Sequence, residues 1–93
     1  MATFIVICTF KPGTDMSEVF AAAPAEMAAV KALEAEGRIG TVHLALARGT
    51  VFLEIFADDA AAAESTVTTL PMAKWWNLDV FPIAAPSIPG AAS

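Results

Sequence analysis

Ninety-three residues, 57% of them hydrophobic and only 16% charged, make one domain with more apolar surface than so small a chain can bury alone. The formal charge of −5 excludes a phosphate-tracking nucleic-acid binder, and no apolar run approaches the roughly 20 residues that span a bilayer. The single Cys8 excludes an intrachain disulfide, and with a Met-Ala-Thr-Phe start that lacks a basic leader it sets a cytoplasmic location as the expectation.

Thr3 to Phe10 reads as a first strand, apolar on both faces and closed by Lys11-Pro12-Gly13. A helical region follows, with Asp15 or Ser17 as its cap. Phe20, Ala23, Met27, Val30 and Leu33 form its apolar stripe, and Gly37 is placed just beyond its end. Pro24 either kinks one long helix or splits it into two, the kinked single helix being preferred.

Two alternating runs follow, from Arg38 to Phe56. A two-residue loop at Arg48-Gly49 would oppose Ala47 to Thr50, Leu46 to Val51, Leu44 to Leu53 and Val42 to Ile55. That register gives one continuously apolar face and sets His43 directly across from Glu54 on the other. Asp58 and Asp59 can cap a second helix from Ala60 to about Thr69, which Pro71 stops. Trp75 to Ile83 reads as a last strand, and Pro82 either confines it to a sheet edge or ends it. Residues 84–93 form a proline-containing tail.

Strand, helix, strand, strand, helix, strand assembles as an α+β ferredoxin-like plait. It is a four-stranded antiparallel sheet with both helices on one face. The other face would leave Phe52, Phe56 and part of the first strand in water. Such a face is expected to pair with a second copy, giving a homodimer or a higher oligomer with a cavity between facing sheets.

The stretches PAEMAAVKALEAEGRIG, GTVFLEIFADDAAAAESTVTTLP and LPMAKWWNLDVFPIAAP resemble the muconolactone isomerase-like family of dimeric α+β barrels. The landmarks are Pro24-Ala25-Glu26, Gly37, Gly49, Leu70-Pro71, and Val80 followed by Pro82, and the similarity covers residues 3 to 85. The resemblance implies facing-sheet dimers, and its named member shifts a double bond in a lactone acid by proton transfer. These landmarks are structural, so no catalytic residue is carried over from the family.

The residues themselves nominate His43 as a proton shuttle and Glu54 as its positioning partner. Phe52 would form an aromatic wall that excludes water, and Asp79, alternating with Asn77 on the last strand, shares a face with Glu54 or turns to solvent. Arg38 and Lys11 flank sheet ends, where they could anchor a carboxylate. Trp75 and Trp76 must face opposite ways if extended, one into the core and one toward a partner subunit or ligand. One histidine and one cysteine cannot build a metal cluster, and no glycine-rich phosphate loop is present, so neither metal nor cofactor is expected. The leading expectation is a cofactor-free isomerase acting on a small lactone or unsaturated acid. A non-catalytic binding or assembly module competes with it, and a cofactor-free monooxygenase-like barrel stands third.

Overall fold

The computed structural model describes residues 1–84, so the expected tail falls outside the described residues except for Ala84. Four strands and two helices run in the order β1 (Ala2–Phe10), α1 (Met16–Ala35), β2 (Ile39–Ala45), β3 (Thr50–Ala57), α2 (Ala60–Thr68) and β4 (Trp76–Ile83). The sheet order is β2-β3-β1-β4, every pairing antiparallel. This is the ferredoxin-like plait expected from the sequence. β1 and β3 are central, and β4 carries Pro82 on an edge, where its missing N–H breaks no interior ladder. No helix among the described residues is long and apolar enough to cross a membrane.

Local chemistry places the breaks. The Asp15 carboxylate accepts from the Ser17 amide at 2.9 Å and the Ser17 hydroxyl at 2.6 Å, and these bonds hold its pKa below the ordinary carboxylate range. At the other end of α1, Gly37 takes a φ of 71°. The Arg38 amide then reaches back to the Leu33 carbonyl at 2.9 Å, and Gly37 to Glu34 at 3.0 Å, which closes the helix. Pro24 lies inside one continuous α1. Asp59 caps α2 by accepting from the Ala62 amide at 2.8 Å.

One face of the sheet carries the core: Phe4, Val6 and Cys8 from β1, Val51, Leu53 and Ile55 from β3, and Trp76 from β4. Val19 and Leu33 of α1, and Ala63 and Val67 of α2, are buried on that side. Full burial of a Leu, Ile or Val is worth about 1.5–3 kcal/mol each, so this face supplies most of the driving force for folding.

Three sequence expectations are corrected here. The hairpin loop is four residues, a 3-10 turn over Leu46–Arg48 followed by Gly49 at φ 60°. A two-residue loop of type I′ would force Arg48 to positive φ as well, at steric cost; the longer loop confines that conformation to glycine. The register therefore slips by two: Ala45 opposes Thr50, Leu44 opposes Val51, Val42 opposes Leu53, and His43 opposes Phe52 rather than Glu54. A slip of two keeps Val42 and Leu44 on the core face and His43 on the open face.

The second correction concerns α1, whose inward stripe is Val19, Ala23, Glu26, Val30 and Leu33, with Phe20 and Met27 turned outward. The third concerns Trp75, which belongs to a 3-10 turn over Pro71–Trp75, so β4 starts at Trp76.

Candidate functional site

The open sheet face gathers four of the residues nominated by the sequence. Register runs Asp79, Ile7, Phe52 and His43 across one row from β4 to β2. The adjacent row holds Phe81, Ile5 and Glu54. Phe52 is half-buried, while His43 and Asp79 are exposed.

Glu54 is tied up locally. Between Ile39 and Val42 the β2 ladder is irregular, because two residues of β2, Gly40 and Thr41, oppose one of β3, Glu54. The Glu54 Oε1 accepts from the Thr41 amide there at 3.1 Å and from the Thr41 hydroxyl at 3.4 Å. Gly40 makes this possible, since a β-carbon at that position would collide with the Glu54 carboxylate. Glu54 thus satisfies an amide on an edge strand, and no ion pair joins it to His43.

The proposed anchors do not converge. Lys11 follows the Phe10 end of β1, whereas Arg38 sits at the opposite end of the sheet, where its carbonyl accepts from the Phe56 amide. The Arg38 guanidinium donates to the Thr66 hydroxyl at 2.9 Å and pairs with Glu36 at 3.6 Å. The depression around it, about 520 Å³, is shallow and also bordered by Asp58. Trp75 lies outside both rows, beneath the Lys74 ammonium 4.6 Å from its ring centroid.

A different concavity has the properties of a small-molecule site. α1 stands off the β2–β3 hairpin and leaves a cavity of about 390 Å³, within the usual range for ligand pockets. Its walls are Phe10, Val19, Ala23, Val30, Val42, Val51, Leu53, Met72 and Trp76, almost entirely apolar. Around it Phe20, Met27, Leu44 and Leu46 are 66%, 61%, 63% and 61% exposed, an uncommon concentration of large apolar side chains in water.

Glu26 is the polar group set among these walls. Its Oε1 accepts from the Met72 amide at 2.9 Å, which ties α1 to the turn before β4. Burial raises its pKa above the ordinary glutamate value, against the lowering effect of that hydrogen bond. Trp76, 4% exposed, forms part of the wall, and its Nε1–H is buried without a hydrogen-bond partner among the described residues. An unmet donor of this kind is rare and costs about 1–3 kcal/mol. Lys31 and Glu34, both exposed, complete the charged groups around the cavity. The nearby Cys8 thiol is pushed up to about 12, first by burial and then by the Glu26 charge, which makes it a core residue and not a nucleophile.

Sequence reasoning passed over Glu26 as a site residue, and it left open which of Trp75 and Trp76 would face a ligand. The available signal was the spacing of Glu26 from Val19, Ala23, Val30 and Leu33, which places a carboxylate on the inward face of an otherwise apolar stripe. Among the described residues no group of three or more His, Cys, Asp or Glu could hold a metal ion. No protein-family model matches the chain, and no curated protein matches it.

Proposed function

We propose that this chain is a muconolactone isomerase-like protein, a cofactor-free proton-shift isomerase of a small lactone or unsaturated carboxylic acid, with its substrate in the cavity between α1 and the β2–β3 hairpin. The observation that carries the reading is Glu26, a carboxylate of raised pKa set in an apolar pocket of ligand size. Such a group is matched to removing a proton from carbon next to a carbonyl and returning it. The C–H bond breaks as an O–H bond forms on Glu26, and the electron pair delocalises into a dienolate. A proton then goes back from Glu26 to the distal carbon, after exchange of the carboxyl proton with water, so the double bond moves with no other reactant consumed.

The reading includes a cytoplasmic homodimer formed through the open face, where Ile5, Ile7, Phe52 and Phe56 lie uncovered by either helix. In that pairing His43, Glu54 and Asp79 would line the interface, which is the second place a substrate could sit. The binding-module alternative keeps the cavity and drops the chemistry. It draws on Glu54 being engaged by Thr41, with no acidic partner for His43 among the described residues.

Deuterium incorporation from heavy water into a butenolide, followed by NMR, separates these readings. Loss of exchange in Glu26→Gln with retention in His43→Ala supports the cavity. The reverse pattern moves the reaction to the open face. Ligand-dependent stabilisation without exchange in the wild type leaves the binding module.

A further inference from the structure

We infer that the cavity selects an uncharged ligand, a mostly apolar ring bearing one carbonyl or hydroxyl, and rejects the corresponding carboxylate; this rests on the cavity reading and narrows its substrate to the neutral lactone, setting aside the unsaturated acid and any lactone acid. The inference comes from charge bookkeeping around the pocket. Glu26 has a backbone amide as its partner and no cation, since the ion pair among the described residues is Arg38–Glu36 at the far end of the sheet. Of the other charged lining residues, Lys31 is offset by Glu34 three positions on, one helical turn along the same face. An anionic ligand would therefore lose its water beside an uncompensated carboxylate, with apolar walls on its remaining sides.

A cation fares little better. One Glu26 oxygen already accepts from Met72, so a single partly occupied carboxylate would have to offset the desolvation of an ammonium in the same apolar setting. A neutral carbonyl or hydroxyl avoids both costs. A hydroxyl can donate to the other Glu26 oxygen, a carbonyl can accept from the carboxyl when it holds its proton, and the rest of the ring lies against apolar walls that include Trp76. The charge of the chain, −5, acts in the same direction by lowering the concentration of anions at its surface.

Three ring compounds of matched size test the selection at neutral pH: an unsubstituted butenolide, the same ring carrying a carboxylate, and the same ring carrying an amine. The readouts are the Met72 amide and the Trp76 indole N–H in ¹⁵N–¹H NMR, with Trp75→Phe used to assign the indole signal. The expected result is that the neutral ring shifts both signals and binds at least about tenfold tighter than the carboxylate. Glu26→Gln, which keeps the acceptor and removes the charge, should shrink that ratio. Equal or tighter binding of the carboxylate overturns charge selection and leaves the isomerase reading standing. Tighter binding of the amine also overturns it, and assigns Glu26 the role of counter-ion. If none of the three moves either signal, the cavity reading falls, and the selection with it.

Discussion

α2 reaches the sheet through Ala63, Thr66 and Val67, all closed to solvent, in a helix of only 9 residues. α1 is 20 residues long, yet only Val19 and Leu33 are fully buried. The difference lies in side-chain size. The small side chain of Ala63, on the inward face of α2, lets its backbone approach β1, β3 and β4. On α1 the inward side chains include Glu26 and Val30, which line a gap between the helix and the hairpin, and the gap becomes the cavity. One face of one sheet thus holds a tightly packed half and a half that encloses ligand-sized space. Tight packing fixes the fold, and the stand-off supplies the site.

The largest effect expected from this contrast is kinetic. Cys8 lies on central β1 under the helix layer, with its thiol pushed from 9.0 to about 12. A closed-off thiol with so little thiolate should react with a thiol reagent at mildly alkaline pH far more slowly in the native protein than in the unfolded chain. Labelling at an ordinary rate would mean that the layer opens freely. Next comes Ile55→Ala, at a fully buried position of β3, which should cost about 2–5 kcal/mol in urea denaturation. Leu46→Ala at the cavity mouth should stay within about 0.5 kcal/mol. Comparable losses at both positions would erase the distinction between the halves.

The tight half was legible in the sequence because its punctuation is local. Gly37, Asp59 and Pro71 each act through their own backbone or that of a residue two or three away, so helix ends could be read directly. The site was not legible, for two periodicity reasons. Hydrophobic alternation is blind to a slip of two residues, and only the true loop, Leu46–Gly49, sets His43 across from Phe52. On α1 the stripes 20-23-27-30-33 and 19-23-26-30-33 share three positions. Hydrophobicity favours the first, which buries Phe20 and Met27, whereas the fold adopts the second, which buries part of Glu26. A preference for apolar residues inside points away from a functional carboxylate placed there.

A smaller effect sharpens the reading of Glu54 as a structural residue. Gly40→Ala would drive a methyl group into the Glu54 carboxylate and within 3.0 Å of the Phe56 ring. The flexible carboxylate can swing aside, giving up its bonds to Thr41, so the expected loss is about 1–2 kcal/mol. In a Glu54→Ala background the same substitution should cost less, because the obstruction is gone. Additive losses in the double variant would show that the two side chains do not meet.

The smallest expected effect concerns Glu26, and it is a matter of sign. Its folded pKa is raised by burial, so the folded state holds this proton more firmly than the unfolded chain does. The resulting stabilisation is fully present below the ordinary glutamate range and is lost as pH rises through the elevated folded value. Glutamine at this position keeps an oxygen to accept from Met72 and carries no charge at any pH. Relative to Glu26→Gln, the wild type should therefore be more stable at about pH 4 than at about pH 7, in denaturant titrations at matched ionic strength. A difference that stays flat would mean the carboxylate is as well solvated as a surface glutamate. A difference of the opposite sign would mean that the Met72 bond outweighs burial, making Glu26 a fixed anchor for α1, unsuited to holding a proton for a substrate.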